Sequence, residues 1–302
     1  MSERPGQTEL ETLRRLLALA REEDLGAGDV TAALLPAEVA ARAAFVAREE
    51  LVVCGAAFLA EIAAAYHADI RTETVLEDGS SAPAGAVIAR WSGPARAILS
   101  AERVALNFLQ RLSGAATVTR AFVRAVAGTR AGIYDTRKTT PGWRALEKYA
   151  VRCGGGRNHR IGLYDAVLVK DNHLAILAAA GQVDPLAALA GPLERAKAAL
   201  AKQPPPGGFI QVEVDTLEQL RSALRLPVDM VLLDNMAPDQ LAQAVAIRDR
   251  AGLAGRVELE ASGGVTLATV RAIAESGVER ISAGALTHSA RSVDIALDVE
   301  IG

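Results

Sequence analysis

The sequence predicts an α/β protein in which parallel strands covered by helices follow a smaller α+β domain. Three observations carry this reading. Half of the 302 residues are hydrophobic, mostly Ala, Leu and Val, and only 4% are aromatic, which suits helices packed on a buried sheet. Beyond Gly128, six short β-type runs alternate with helical segments. Those runs are nearly continuous in apolar residues, as strands covered on both faces are. The length suggests about two domains, large enough to bury a core without disulfide or metal staples.

The elements follow in order. Residues 8–23 place Leu10, Leu13, Leu16, Leu17 and Ala20 on one helical stripe, with Thr8 and Glu11 spaced as a capping box. LGAGDVT (25–31) reads as a Gly-broken turn. Segments rich in β-formers at 41–55 and 68–93 flank a helical stretch at 57–67, and the Gly/Ser/Pro cluster at 79–85 reads as a turn between strands. The first hundred residues therefore look like a small α+β domain. From Ser100 to Gly128 the pattern is helical, divided into two helices at Ser113-Gly114, with Arg103 just inside its start. The six β-type runs are 133–136, 166–170, 209–214, 230–235, 256–262 and 280–284. Helices are expected at 143–151, within 174–202, and at 216–226, 238–252 and 266–277. QPPPGG (203–208) reads as a loop inside this rhythm. The periodicity fits a barrel or a doubly wound sheet equally well.

Charge alone reads equally as a pocket for a small anionic ligand or as a solvated, helix-flanking run of bases. Eight of the chain's 33 Lys and Arg fall between Tyr134 and His173, among Gly, Thr and His, while the whole chain has net charge −3. Such a segment suits a pocket for a polyanionic molecule better than a nucleic-acid face, which spreads charge over a broad surface. Neither a signal peptide nor an apolar span of membrane length is apparent. Cys54 and Cys153 are distant in sequence and match no metal-ligand spacing, so reduced thiols in a cytoplasmic protein are expected.

In parallel α/β architectures functional groups gather at the carboxyl ends of the strands. Those positions hold Asp135-Thr136-Arg137-Lys138, Lys170, Glu213, Asp234, Ser262-Gly263-Gly264 and Ser282-Ala283-Gly284. Bases, a pair of acids and two small turns would converge on one mouth if the strands close. The two Gly/Ser turns follow the last two strands, the usual place for a phosphate in a barrel, although they also read as plain strand exits. Glu213 and Asp234 end neighbouring strands, so they fit either salt bridges to the basic segment or a hard-cation site completed by phosphate and water. His159, beside Arg160, is a base, an anion donor or an ordinary loop His. No Ser/His/Asp order, zinc spacing, Walker A or dinucleotide fingerprint is present.

The motifs DTRKTTPG (135–142), KYAVRCGGGRNHR (148–160), VLVKDNH (167–173), VLLDNM (231–236), LEASGG (259–264) and ISAGALTHS (281–289) resemble those of the quinolinate phosphoribosyltransferases of NAD biosynthesis. The likeness runs from LGAGDVT to the last strand. It implies an N-terminal α/β sandwich domain over 1–112 and a six-stranded parallel α/β barrel, TIM-like, over 113–302, whose last residues can return to the first domain. It further implies a homodimer in which Arg103 reaches the partner's active site.

The family's reaction joins quinolinate to 5-phosphoribosyl-1-pyrophosphate with Mg²⁺, releasing pyrophosphate and CO₂ and leaving nicotinate mononucleotide. By resemblance, Arg103 of the partner, Arg137, His159 and Arg160 hold the quinolinate carboxylates. Lys138 and Lys170 neutralise the phosphoribosyl donor, with Thr136 beside them. Glu213 and Asp234 face the ribose and Mg²⁺, directly or through water, and Lys138, Lys170, Glu213 and Asp234 form the catalytic set. Ser262, Gly263, Gly264, Ser282, Ala283 and Gly284 cradle phosphate, with His288 nearby. Neither nucleic acid nor membrane is an expected partner. A paralogous group associated with molybdenum transport shares the fold and much of the motif set, and the intact TRKT, NHR and EASGG segments favour the quinolinate enzyme. A catalytically silent phosphometabolite-binding barrel is the other alternative, and it would not need the acid pair.

Overall fold

A computed structural model describes residues 3–202 and 208–300; the loop expected at 203–208 lies outside them except for Gly208. The chain forms two compact units, each assembled from separate stretches: Met1–Ala121, Lys138–Gly156 and Leu286–Gly302 in one, Phe122–Arg137 and Arg157–Ala285 in the other.

The first unit contains strands β1 (Ala40–Ala47), β2 (Leu51–Val52), β3 (Arg71–Thr74), β4 (Ser81–Ala82) and β5 (Val87–Pro94), with helices α1 (Gln7–Leu25), α2 (Leu59–Tyr66), most of α3 (Ala95–Ala125) and α4 (Arg144–Cys153). The second contains β6 (Gly132–Tyr134), β7 (Val167–Val169), β8 (Ile210–Val214), β9 (Met230–Asp234), β10 (Glu258–Ser262) and β11 (Arg280–Ser282). Its helices are α5 (Asp171–Ala179), α6 (Ala190–Lys202), α7 (Leu217–Ala223), α8 (Pro238–Arg250) and α9 (Val270–Glu275). The last strand, β12 (Ile295–Glu300), pairs antiparallel with β1 and completes a four-stranded sheet of order β12-β1-β5-β3 in the first unit. Phe45 and Trp91, from β1 and β5, meet edge to face at 4.8 Å in its core.

Four local expectations change. Helix α1 opens at Gly6, whose N–H is taken by the Glu9 carboxylate at 3.0 Å; Thr8 lies inside the first turn and Glu11 accepts from Gln7 instead. Helix α3 is continuous through Ser113-Gly114. The pair marks a close approach: Ser113 Oγ accepts from the Cys54 N–H and donates to its carbonyl, and a Cβ on Gly114 would lie 1.9 Å from the Arg291 carbonyl oxygen. Because α3 starts at Ala95, Arg103 sits more than two turns in, beyond reach of the helix N-terminal dipole. Finally, α4 does not cover the parallel sheet, since Leu146, Tyr149, Ala150 and Cys153 belong to the core of the first unit. That core also brings Cys54 and Cys153 together as free, buried thiols, their sulfurs within 4.8 Å of each other and of an Asp78 oxygen.

In the second unit the six strands form one parallel sheet of order β6-β11-β10-β9-β8-β7. Among the described residues its end strands share no ladder. Arg157 bridges Tyr134 beside β6 instead, donating to the Ile133 carbonyl at 2.8 Å and accepting from the Asp135 N–H at 3.1 Å. A parallel register aligns the strand ends: Ser262 pairs with Asp234, Val214 with Leu233, Val169 with Val212 and Ser282 with Tyr134.

Candidate active site

Side chains alternate faces along a strand, so the register fixes which residues share one. Glu213 pairs with Leu232, Leu232 with Glu260 and Glu260 with Arg280. Counting by twos puts Gln211, Glu213, Asp234, Glu260, Ser262, Arg280, Ser282 and Tyr134 on one face. Val212, Val214, Val231, Leu233, Leu259, Ala261 and Ile281 occupy the other, all buried. The polar residues embedded in apolar runs therefore line a single face, in an inner row and an outer row at the strand ends.

The inner row is an internally bonded network in which Glu260 Oε1 alone is buried without a hydrogen bond among the described residues. Glu260, fully buried, accepts from Arg280 Nε at 3.0 Å and from Gln211 Nε2 at 3.2 Å. The Gln211 carbonyl oxygen lies 3.0 Å from His159 Nε2, and Glu260 lies 3.4 Å from the same nitrogen. Burial alone pushes the Glu260 carboxyl up, but the His159 imidazole, the Arg280 guanidinium and the Ser282 hydroxyl outweigh it and hold it at about 2. Arg280 also stacks on the Tyr134 ring, 3.7 Å from its centroid. His159 Nδ1 accepts from the Arg160 N–H at 2.8 Å, so both ring nitrogens are engaged within the protein and the ring orients the next residue. Asp135 holds this segment, accepting from the His159 N–H at 2.8 Å and from Asn158 Nδ2 at 2.6 Å.

The outer row is only partly paired. Lys170 Nζ donates to Glu213 at 2.6 Å. Asp234 accepts from Asn235 Nδ2 at 2.6 Å. Arg160 is buried and its guanidinium donates from Nη1 to the Ala166 carbonyl at 3.1 Å, and Arg137 Nε is buried with no partner among the described residues. Burial first, and then the Arg137 charge, hold the Arg160 guanidinium below its usual pKa, against the weaker pull of the Asp165 carboxylate. Neither guanidinium hydrogen-bonds a carboxylate among the described residues, so two neighbouring cations are held where an anion would relieve them.

The glycine turn after β10 is open on one side. Gly264, at φ +58°, has no atom within 4 Å of where a Cβ would stand, so its backbone is accessible. The turn after β11 is more committed. The Ala283 N–H donates to the Tyr134 carbonyl at 3.0 Å, and Ser282 is buried against Glu260.

The second unit thus carries Thr136, Arg137, His159, Arg160, Lys170, Glu213, Asp234, Ser262, Gly263, Gly264, Ser282, Ala283 and Gly284, while Arg103, Lys138 and His288 belong to the first. There the Lys138 carbonyl accepts from Thr287 Oγ1 at 2.6 Å, and His288 Nδ1 lies 2.6 Å from Ser289 Oγ. Arg103 is exposed and makes no hydrogen bond or ion pair among the described residues. Sequence reasoning missed Gln211, Glu260 and Arg280. Their signal was a charged or amide residue at alternate positions within apolar strand runs.

Comparison with known proteins fits this geometry. Residues 29–113 match the quinolinate phosphoribosyl transferase N-terminal domain and residues 115–298 its C-terminal domain. The chain is 42% identical over 291 residues to a probable nicotinate-nucleotide pyrophosphorylase (carboxylating) of Bacillus subtilis, covering 96% of this chain and 94% of that one. It is 42% identical over 295 residues to the nicotinate-nucleotide pyrophosphorylase (carboxylating) of Mycobacterium leprae, covering 96% and 98%. The solved structure of the nicotinate-nucleotide pyrophosphorylase from Francisella tularensis superposes with a TM-score of 0.84 at 35% identity, covering 99% of this chain and all of that one. With both domains matched in order and strong likeness along nearly the whole length, the chain belongs to the quinolinate phosphoribosyltransferase family.

Proposed function

We infer that the chain performs its family's reaction, transferring the phosphoribosyl group of 5-phosphoribosyl-1-pyrophosphate to quinolinate with loss of CO₂ in de novo NAD biosynthesis. The observation that carries this is the Arg137–Arg160 pair. Two guanidiniums that hydrogen-bond no carboxylate among the described residues suit a dianion, because Arg binds carboxylates bidentately.

In the first step the pyridine nitrogen attacks C1′ of the ribose. The C1′–oxygen bond breaks and its electron pair leaves with pyrophosphate. Glu213 and Asp234 stabilise the developing positive charge at C1′, and Lys138 and Lys170 offset the charge of the donor. Two carboxylates on adjacent strands form an oxygen donor set fit for Mg²⁺, with Glu213 and Asp234 holding it directly or through water. Bound there, that ion would supply positive charge to offset the leaving pyrophosphate. Ser262, Gly263 and the open backbone of Gly264 receive the 5′-phosphate, with Gly284 and His288 as further donors. In the second step the bond to the 2-carboxylate breaks. Its electron pair stays on the ring carbon beside the cationic nitrogen, a proton fills the vacancy, and no organic cofactor is required.

A cytoplasmic homodimer that shares its sites through Arg103 belongs to the same reading, supported by the exposure and lack of partners of that residue. Among the described residues no helix is long and apolar enough to cross a membrane. The test is CO₂ release by purified protein supplied with quinolinate, the phosphoribosyl donor and Mg²⁺, against nicotinate as rival. Quinolinate is expected to be strongly preferred. Equal use of nicotinate, which has one carboxylate fewer, would remove the dianion pocket.

A further inference from the structure

Asn235, immediately after Asp234, has φ +52° and is the one non-glycine residue with positive φ among the described residues. That left-handed conformation is unfavourable for an L-residue, least so for Asn and Asp. A turn leading from β9 to α8 would take glycine without this cost. Three contacts explain why a side chain stands there. The Asn235 N–H donates to the Ser262 carbonyl at 2.9 Å, tying the end of β9 to the end of β10. Its carboxamide donates to Asp234 Oδ2 at 2.6 Å. Gly263 leaves the space that carboxamide fills, since a Cβ on Gly263 would lie 2.2 Å from Asn235 Oδ1.

From this geometry we propose that Asn235 is a positioning residue for phosphoribosyl transfer: it orients the Asp234 carboxylate by occupying Oδ2, leaving Oδ1 for the substrate side. Gly263 then has a second role beside the phosphate, because only glycine seats that carboxamide. The inference rests on the reading that Asp234 acts at the ribosyl centre, and it adds how the strand end keeps that acid aimed. Strain concentrated at a functional strand end is the expected signature of such a device.

The test compares Asn235→Gly with Asn235→Asp. Glycine accepts φ +52° and deletes the donor; Asp keeps the size and the tolerance for this backbone but has no N–H to donate. Both variants are expected to lose roughly 10–100-fold in kcat, the range for removing a group that orients a reacting one. Asn235→Gly should melt at or above the wild-type temperature, and calorimetry with quinolinate alone should return an unchanged Kd. Wild-type kcat in Asn235→Gly overturns the proposal. So does a fall in kcat matched by a lowered melting temperature or weakened quinolinate binding, which would mean a general structural role. Failure of Asn235→Gly to fold overturns it too, because glycine is the residue best suited to that φ. Failure of the wild-type protein to release CO₂ would instead sink the reaction assignment, so the two outcomes are distinguishable.

Discussion

Glu260 and Arg280 in the middle of the parallel sheet, and Arg137 and Arg160 near its carboxyl end, are charges held largely out of water, yet they are treated in opposite ways. In the inner row the carboxylate is enclosed by a guanidinium, an amide and an imidazole. Near the strand ends the two guanidiniums repel each other, offset only in part by the Asp165 carboxylate, and neither hydrogen-bonds a carboxylate among the described residues. A paired buried charge contributes to architecture, whereas an unpaired one is tolerated only where something from outside completes it. The contrast separates scaffold from site on a single sheet face.

The sharpest way to break that contrast is to remove one member from each row. Glu260→Gln removes the buried one of the two carboxylates that Arg280 meets, leaving only the half-exposed Glu258 at 3.3 Å, and is expected to cost about 3 kcal/mol of folding stability in denaturant titrations. Arg137→Ala or Arg160→Ala should leave stability unchanged or raised, because a repelling cation is gone, and should cost roughly 2–5 kcal/mol of quinolinate affinity by calorimetry. If the Arg variants unfold as readily as Glu260→Gln, both rows are scaffold and the anion pocket is lost.

The acids offer a finer test within the outer row. Glu213→Gln and Asp234→Asn are expected to lower kcat by about a hundredfold or more while quinolinate binding changes little, since their proposed role lies at the ribosyl centre. The Lys170–Glu213 pair at 2.6 Å gives the rival reading in which Glu213 only balances a lysine. Unaltered turnover in Glu213→Gln would favour that reading.

How much of this was legible in the sequence depended on the range of the interaction. The six strands were readable because their apolar runs are local, and the strand-end residues because a parallel sheet presents its carboxyl ends together. The inner network was not, since Gln211, Glu260 and Arg280 meet only through strand register, and each alone reads as an exception in an apolar run. Ser113-Gly114 misled for a similar reason. A small pair inside a helix reads as a break until Cys54 and Arg291 are seen pressed against it. Helix α4 fitted the strand–helix alternation perfectly as text, but its apolar face is buried in the first unit. Asn235 carried no sequence signal, because positive φ is a backbone property.

Arg103 is the third cation in the comparison and the only one of the three on the first unit. Arg137 and Arg160 are partly or wholly buried and incompletely paired; Arg103 is exposed and unpaired among the described residues. If its anion is the substrate held by a second copy of the chain, two-fold symmetry builds two identical sites, each with Arg103 from one protomer and Lys170 from the other. Arg103→Ala and Lys170→Ala should each be nearly inactive alone. In a mixed dimer one site would carry both lesions and the other neither. Half of the dimers in an equal mixture are mixed and each has one intact site of two, so co-refolding should restore about a quarter of wild-type activity. Were Arg103 to serve its own protomer, each site of a mixed dimer would keep one lesion and no activity would return. A mixture no more active than its separate components, with subunit exchange verified by mass spectrometry, therefore places Arg103 with the solvated surface and confines the unpaired cations of the site to the second unit.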